Sequence, residues 1–393
     1  MDDSTDAVVV AGRWRRPLTF DAAGPAGHLV DPRTPGDRLP VVSFASNDYL
    51  GLASHPAVVA AAHRALDRWG AGSGASRLVT GSRPVHAELE EALASWKGCD
   101  RAVLFPTGFA ANLSVLSVFG AEGAHIFSDE LNHASIVDGC RLARAGVTVF
   151  PHGRLDLLDR MLATRPGGRP IVVSDTVFSM DGDEADLPGL VALADRHGAL
   201  LVLDEAHAVL GPELDAGLRG NGPGADLLRV GTLSKTLGSL GGFVAGPDPF
   251  TELLVNRARP YIFTTAPTPA DAAAALAAVG VLHSDEGTAL RATLAGHVAR
   301  VAAAVGQLDR RAPIIPVVVG AEADAVGASE LLLAGGVWVP AIRPPTVAPG
   351  TSRLRITVSA VHTDEQVDRL IAGLVEAGLA GPGARGPRGA GAP

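Results

Sequence analysis

The chain has 393 residues, a formal net charge of −9, 47% apolar and 19% charged residues, which is typical of a globular protein with enough apolar surface for a large core. The negative charge and the lack of long basic runs exclude a nucleic-acid-binding protein, and the lack of an apolar run of about 18 residues excludes a membrane span. An acidic N-terminus without signal-peptide features and only two cysteines indicate a cytoplasmic protein without a disulfide framework.

The first two thirds of the chain predict an α/β domain. Residues 1–42, rich in Pro, Gly and Asp, predict an irregular N-terminal arm with some local structure, and residues 43–270 predict a large domain. Short apolar runs predict strands at Val41–Ala45, Ala102–Phe105, Ala124–Phe127, Val147–Phe150, Ile171–Ser174 and Leu200–Asp204. Amphipathic stretches predict helices at Ala57–Trp69, Ala87–Trp96, Phe109–Phe119, Ser135–Ala145 and Leu190–His197. Buried strands that alternate with helices are typical of a mostly parallel sheet.

The last third of the chain predicts a smaller α+β domain over residues 271–378. Residues 270–309 predict two helices that are separated near residues 284–287. Strands are predicted at Ile314–Val319, Val337–Val339 and Leu354–Ser359, and a final helix at Thr363, where Thr363 and Gln366 fit a capping box. Residues 379–393 predict a disordered tail, because this Gly- and Pro-rich segment cannot bury enough apolar surface.

Lysine chemistry has only two candidate positions, Lys97 and Lys235. Lys97 ends a predicted helix beside Gly98, where a lysine favours the helix dipole, and we expect it to face water. Lys235 follows a short strand among hydroxyls and glycines, a setting that suits a phosphate group and a Schiff-base lysine, although an ordinary loop lysine is equally compatible with the segment alone. The segment is not a P-loop, because Ser234 stands where that motif has glycine.

An acidic residue ends the predicted strand at residues 200–204. Asp204 begins the sequence Asp-Glu-Ala-His, which also occurs in nucleotide-dependent helicases, but no P-loop accompanies it. Such a carboxylate can also pair with a protonated pyridine nitrogen, as pyridoxal phosphate requires. His207 lies close enough in the chain to reach the phenolic oxygen of the same ring. Asp204 and Lys235 together therefore favour a pyridoxal-phosphate site.

Three further polar segments follow predicted strands. The segment with Thr107, Gly108 and Phe109 starts a helix, whose free N–H groups and dipole suit an anion. His133 starts another helix, where it either caps the helix or stacks on a ring. Ser179 follows a third strand and could donate to the phenolic oxygen. Because the carboxyl ends of parallel strands meet at one edge, these segments can share one crevice.

Together these motifs resemble the α-oxoamine synthases, a fold-type I branch of the pyridoxal-phosphate enzymes. The resemblance runs from about residue 43 to 378. It is carried by residues 46–52, 72–78, the segment around His133, Phe178–Asp183, Asp204–His207, Thr232–Lys235, and 341–347 with 350–355. The last of these motifs, with Ile-Arg-Pro-Pro-Thr at 342–346, discriminates best between branches. The resemblance implies a fold-type I transferase and a homodimer whose sites use both subunits.

The resemblance also implies cofactor roles for individual residues. Lys235 would bind pyridoxal 5'-phosphate covalently, Asp204 would pair with the pyridine nitrogen, and His133 would stack on the ring. Ser179 and His207 would reach the phenolic oxygen. The remaining cofactor contacts, chiefly to phosphate, would come from Thr107, Gly108, Phe109, Thr232 and Ser234, and from Thr264 or Thr265 of a partner subunit. Lys235, His133, Asp204 and His207 are the expected catalytic residues, and no metal is expected.

Substrate contacts follow from the same resemblance. Asn47 and Arg343 would hold the amino-acid carboxylate, with Thr346 and His133 near the substrate. An arginine of the N-terminal arm (Arg13, Arg15 or Arg16) is a candidate for the acyl substrate, although the arm diverges from the family pattern.

The branch that the chain resembles most condenses L-alanine with a pimeloyl thioester, carried by CoA or by a carrier protein, in biotin biosynthesis. We therefore expect a cytoplasmic acyltransferase without a nucleic-acid or membrane partner. A sibling synthase such as a glycine C-acetyltransferase, a nucleotide-dependent protein and a non-catalytic relative are the alternatives.

Overall fold

The computed structural model describes residues 17–211 and 226–381, except 35 and 166, together with residues 6, 9, 10, 13 and 14. The strands in this part are β1 (Thr19–Asp21), β2 (Ala26–Val30), β3 (Arg38–Ser43), β4 (Arg101–Phe105), β5 (Ala124–Asp129), β6 (Gly146–Phe150), β7 (Arg169–Asp175), β8 (Leu200–Asp204), β9 (Leu227–Thr232), β10 (Gly242–Gly246), β11 (Ile314–Gly320), β12 (Val337–Trp338), β13 (Ala341–Ile342) and β14 (Ser352–Thr357). The α-helices are α1 (Pro56–Trp69), α2 (Pro84–Lys97), α3 (Gly108–Phe119), α4 (Ala134–Leu142), α5 (Leu155–Ala163), α6 (Leu187–His197), α7 (Asp248–Arg257), α8 (Arg259–Ile262), α9 (Pro269–Leu282), α10 (Asp285–Ala304), α11 (Glu322–Ala334) and α12 (Asp364–Glu376). None of these helices is both long and apolar enough to cross a membrane.

The central sheet has seven strands in the order β4-β10-β9-β8-β7-β5-β6. Strand β10 is antiparallel to both neighbours, and the other pairs are parallel. Successive side chains of β7 enter different cores, since Ile171 and Val173 pack on one side and Val172 on the other. The inner strands β7 and β8 are buried on both faces, so each contains a continuous apolar run. The predicted α/β fold with a mostly parallel sheet is confirmed.

One edge of this sheet collects the polar residues that follow the strands. β5, β7, β8 and β9 end there at Asp129, Asp175, Asp204 and Thr232. Register places Asp175 directly beside Asp204. Parallel sheets bind ligands outside this carboxyl edge, and the fold therefore brings together the segments that the sequence singled out.

The N-terminal segment is more regular than the sequence predicted. Strands β1, β2 and β3 form an antiparallel ribbon, and β12 from the C-terminal part extends it in parallel to β3. The ring of Phe20 packs 5.5 Å from that of Trp338 between ring centroids. Strand β1 and the first half of β3 are short and largely exposed, so they lack the apolar pattern that marks a buried strand. The prediction of an irregular arm was wrong at β1, β2 and residues 38–40, whereas the predicted strand at Val41–Ala45 overlaps the buried half of β3.

The elements predicted for the C-terminal part occur in the predicted order, but helix α11 and strand β13, which the sequence did not predict, lie among them. Helices α9 and α10 are separated at Ser284, whose side chain caps α10. Thr363 and Gln366 form the predicted capping box at the start of α12. A small antiparallel sheet, β11-β14-β13, packs with these helices. Residues 382–393 of the predicted tail lie outside the described residues.

Lys97 is buried, contrary to the expectation that it faces water. Its side chain is 8% exposed, its Nζ lies 2.7 Å from Glu205 Oε2, and it sits 3.7 Å from the centroid of the Trp96 ring. Arg229 Nε donates to the other oxygen of Glu205 at 2.6 Å. Burial alone would raise the pKa of the Glu205 carboxyl, but the charges of Lys97 and Arg229 lower it. The helix end was predicted correctly; the residues that cover it come from distant parts of the chain.

We expect Lys97→Met to destabilise the protein by about 3 kcal/mol, because it leaves the buried Glu205 carboxylate with one cation instead of two. The shift in the denaturant midpoint of unfolding measures this. Lys97→Arg, which keeps the charge, is expected to cost less. An unchanged midpoint in Lys97→Met would mean that this ion pair is open to solvent.

Candidate active site

A cavity of about 240 Å³ lies at the carboxyl edge of the central sheet. Its lining contains every residue predicted for catalysis and, apart from Thr264 and Thr265, every residue predicted for cofactor binding: Thr107, Gly108, Phe109, His133, Ser179, Asp204, His207, Thr232, Ser234 and Lys235. Asn112, Ser135 and Asp175 also line it, and sequence reasoning missed them. Two of these had a signal in the sequence, since Asn112 lies one helical turn after Gly108 and Asp175 ends a strand as Asp204 does.

The amine of Lys235 begins a chain of hydrogen bonds. Its Nζ lies 2.9 Å from His207 Nε2, and His207 Nδ1 lies 2.6 Å from the Tyr49 hydroxyl. Burial raises the pKa of Tyr49 to about 12, so its hydroxyl keeps its proton and donates to Asn47 Oδ1 at 3.0 Å. Tyr49 then accepts from His207 Nδ1–H, which leaves Nε2 as an acceptor facing Lys235. Burial and the nearby Lys235 charge also lower the pKa of His207, so the ring is neutral.

The environment of Lys235 lowers the pKa of its amine. Burial lowers its pKa, the charges of Asp204 and Asp175 oppose this, and the charge of Arg355 adds to it. An uncharged amine is the nucleophilic form of lysine and can also accept a proton. Lys235 is therefore the candidate nucleophile and base of the site.

Asp204 is held firmly at the end of β8. Its Oδ2 accepts from Asn112 Nδ2 at 2.6 Å and its Oδ1 from the Ala206 N–H at 2.9 Å. The Oδ1 of Asn112 is buried and has no hydrogen-bond partner among the described residues. A fixed, buried carboxylate of this kind stabilises a cation placed beside it.

His133 both caps α4 and lines the cavity. Its Nδ1 accepts from the Ser135 N–H at 3.2 Å and lies 2.8 Å from Ser135 Oγ. Its backbone N–H donates to Asp175 Oδ2 at 2.9 Å. Burial and the charge of Asp204 raise the pKa of Asp175 well above its usual value. The hydrogen bond from the Ser135 N–H confirms the capping interpretation of His133. This cap holds the imidazole ring at the wall of the cavity.

The other end of the cavity is suited to an anion. Thr107 caps α3 by accepting from the Ala110 N–H at 3.0 Å, and Thr232 Oγ1 lies 2.8 Å from Ser234 Oγ. A Cβ on Gly108 would lie 3.2 Å from the Thr232 Cβ, so glycine keeps this corner open. The start of α3 and the hydroxyl groups form a cradle of donors.

A second pocket of about 530 Å³ adjoins this cavity. It is lined by Arg13, Thr346 and Arg353 and by apolar side chains, among them Leu131, Phe178, Met180 and Val347. Its wall residues at 130–132 and at 178–181 flank His133 and Ser179 of the first cavity. Arg13 Nη2 donates to Glu322 Oε1 at 2.7 Å; Arg15 and Arg16 lie outside the described residues.

Arg355 is a residue that sequence reasoning missed. It is buried, its Nη2 donates to Asn47 Oδ1 at 3.2 Å, and its Nε donates to the Ser179 carbonyl at 2.5 Å. Its positive charge lowers the pKa of both Lys235 and His207. The only signal in the sequence was its place in the motif at 350–355.

Some predicted residues are not in the cavity. Asn47, Arg343 and Thr346 do not line it, although Thr346 lines the second pocket and Asn47 contacts Tyr49 and Arg355. Thr264 and Thr265 are exposed, and Thr265 forms a β-bridge with Ser76.

The chain belongs to the aminotransferase class I and II family, whose model matches residues 40–374. It is 47% identical to the 8-amino-7-oxononanoate synthase of Burkholderia thailandensis, over 93% of this chain and 94% of that protein. Among solved structures it is similar to the serine palmitoyltransferase of Sphingomonas wittichii, with 31% identity, a TM-score of 0.85 and 96% of each chain covered. It is equally similar to a serine palmitoyltransferase from S. paucimobilis with a bound PLP–myriocin aldimine, with 29% identity, a TM-score of 0.86 and the same coverage. The predicted resemblance and the fold-type I transferase fold are confirmed.

Proposed function

We propose that the Lys235 cavity holds pyridoxal 5'-phosphate. Three features of the donor set fit this group: the donors at the start of α3 suit its phosphate, the Asp204 carboxylate suits its pyridinium nitrogen, and Lys235 suits its aldehyde carbon. Ser179 and His207 would reach its phenolic oxygen, and the ring of His133 would lie against its face. The unpartnered Oδ1 of Asn112 marks a polar atom that this pocket leaves unsatisfied without a ligand.

When bound, this cofactor supplies an electron sink for the negative charge that develops on the α-carbon of an amino acid. The residues of the chain would control the protons. Lys235 Nζ is the group placed to remove the α-proton, and its lowered pKa keeps it unprotonated more often than a free lysine. Neutral His207 holds that amine through Nε2 at 2.9 Å.

The amino-acid carboxylate would be held by Arg355 and Asn47. Arg355 is buried beside Asn47 and faces Lys235, and its planar guanidinium suits a carboxylate. The charge of Arg355 reaches Lys235 and His207, whereas Arg343, which the sequence had suggested, lies near Glu322 and acts on its carboxylate. We therefore propose Arg355 in place of Arg343 as the arginine that binds the amino-acid carboxylate.

The reaction we propose is the condensation of L-alanine with a pimeloyl thioester to give 8-amino-7-oxononanoate, CO₂ and free thiol, a step of biotin biosynthesis. The observation that carries it is the 47% identity, over 93% of the chain, to a protein of that name. The neighbouring pocket supports it, because apolar side chains such as Leu131, Phe178 and Met180 suit an acyl chain. Arg13 would meet its distal carboxylate.

We propose that the enzyme works as a homodimer in the cytoplasm. Large apolar side chains are exposed at Val79, Phe109 and Phe263, and Phe109 also lines the cavity. Exposed apolar side chains of this size favour a protein contact, and a second copy would also bring Thr264 or Thr265 to the phosphate. The free cysteines Cys99 and Cys140 suit a reducing compartment.

Product analysis tests the reaction. Mass spectrometry of the PLP-loaded enzyme with L-alanine and pimeloyl-CoA, or the pimeloyl-carrier protein, is expected to show 8-amino-7-oxononanoate with release of CO₂. Parallel reactions with glycine and acetyl-CoA and with L-serine and palmitoyl-CoA represent the sibling synthases, the second because of the structural similarity to serine palmitoyltransferases. A product only in one of those reactions would replace the proposed substrates and leave the reaction class intact.

A further inference from the structure

His152 lies just after β6, outside the cofactor cavity, between two carboxylates. Its Nδ1 lies 3.1 Å from both carboxylate oxygens of Asp129, and its Nε2 lies 2.5 Å from Asp183 Oδ2. Ionised carboxylates only accept hydrogen bonds, so both ring nitrogens must donate. The ring is therefore an imidazolium with one carboxylate on each side.

The two carboxylates belong to different segments of the chain. Asp129 opens segment A, residues 129–133, and the Glu130 side chain in that segment accepts from the His152 backbone N–H at 2.8 Å. Asp183 closes segment B, residues 178–183, in which the Phe178 N–H donates to the Asp183 carbonyl at 3.0 Å. The ring of Phe178 meets the His152 ring edge-on at 4.4 Å between centroids. His152 thus joins segment A to segment B.

The same two segments form both functional pockets. Segment A carries His133 and segment B carries Ser179 to the cofactor cavity. Residues 130–132 of segment A and Phe178, Met180 and Asp181 of segment B line the second pocket. Any change in their spacing alters the width of that pocket, and displacements of about 1 Å can cost about 100-fold in rate.

We propose that His152 is a positioning residue that holds segments A and B at the spacing required by the acyl thioester. The proposal rests on the proposed function, which assigns the second pocket to the acyl chain. No contact between His152 and either substrate is needed. The residue would act mainly on acyl-thioester recognition, because its two segments line the second pocket, and much less on amino-acid recognition, because segment B meets Arg355 only through the Ser179 carbonyl.

The charged groups around His152 keep the ring protonated. Burial lowers its pKa, but the hydrogen bonds and charges of Asp129 and Asp183 raise it to about 10. The Glu130 carboxylate also lies beside His152, because it accepts a hydrogen bond from the His152 backbone N–H. Arg310 lies near Asp183, whose charge acts on its guanidinium group. This raised pKa agrees with the imidazolium form of His152 that the hydrogen bonds to Asp129 and Asp183 require.

The test compares His152→Gln with His197→Gln in the PLP-loaded enzyme. His197 is a matched control, because its Nε2 lies 2.7 Å from Asp159 Oδ1 at the end of α6, away from both pockets. In His152→Gln we expect the KM for pimeloyl thioester to rise about 10-fold or more, while the dissociation constant of L-alanine, followed by the cofactor spectrum, changes less than about 2-fold. His197→Gln should change neither constant.

Two further measurements keep the test decisive if His152→Gln folds poorly. Asp183→Asn, which removes the same contact from the other side, should raise the acyl KM in the same direction as His152→Gln, and the double variant His152→Gln/Asp183→Asn should raise it little further than either single variant. In the unaltered protein, ¹⁵N NMR should show both His152 nitrogens protonated at pH 8. A neutral His152 ring, or equal changes in the acyl and alanine constants, would overturn the proposal. Absence of pimeloyl turnover by the unaltered enzyme would instead overturn the proposed function.

Discussion

Replacement of Lys235 by alanine is expected to lower kcat by about 10⁴-fold or more, because it removes both the nucleophile that binds the cofactor and the base that takes the α-proton. In the unaltered protein, borohydride reduction should leave a pyridoxyl group on Lys235, found by peptide mass spectrometry. Lys235→Ala should carry no such adduct, although PLP can still bind through the phosphate cradle and Asp204.

The chain offers an unusual control for this experiment, because Lys97 is its only other lysine. Lys97→Arg keeps the charge beside Glu205 and should retain the full pyridoxyl adduct and most of the activity. A stable adduct on reduced Lys235→Ala would show that the cofactor is attached elsewhere. Loss of the adduct in Lys97→Arg would contradict the structural role that burial and the ion pair give to Lys97.

The second large effect is expected at Arg355. Arg355→Lys keeps a positive charge but loses the planar fork, so the KM for L-alanine should rise about 10- to 100-fold. The PLP content should stay the same, since Arg355 does not line the cofactor cavity. Steady-state kinetics with varied L-alanine, together with the absorbance of bound PLP, measure the two quantities.

Arg343→Ala is the matched comparison for this prediction. If Arg355 holds the amino-acid carboxylate, Arg343→Ala should change the KM for L-alanine far less than Arg355→Lys does. The reverse order would restore Arg343 to the role that the resemblance implied. Equal losses of PLP and alanine binding in Arg355→Lys would mean that this arginine supports the site as a whole, through the Ser179 carbonyl and Asn47.

The strand-end residues could be predicted from the chain because a buried parallel strand has a plain signature. Leu200–Asp204 is an apolar run that stops at an acid, and the structure places β8 over the same residues. His133 and Thr107 start helices after such strands, and both line the cavity. Local pattern and the geometry of parallel strands determine these positions together.

Other features depend on elements that are far apart in the chain. Asp175 and Asp204 become neighbours only through the pairing of β7 with β8, and sequence reasoning weighed only one of them. Arg355 reaches Asn47 because β14 packs against the N-terminal part of the large domain. No local periodicity distinguishes Arg355 from Arg343 as the arginine of the site.

The sequence by itself determined the alternating strands and helices and the family, and it singled out Lys235 and Asp204 as candidate site residues. Each of these features depends on a short segment, within which residue type and hydrophobic period determine the local structure. Only the tertiary structure decided that Lys97 is covered by Glu205 and Arg229, that Arg355 faces Lys235, and that His152 joins two segments of the site. The physical reason is that burial and charge pairing arise between residues whose separation in the chain carries no information about their distance in space.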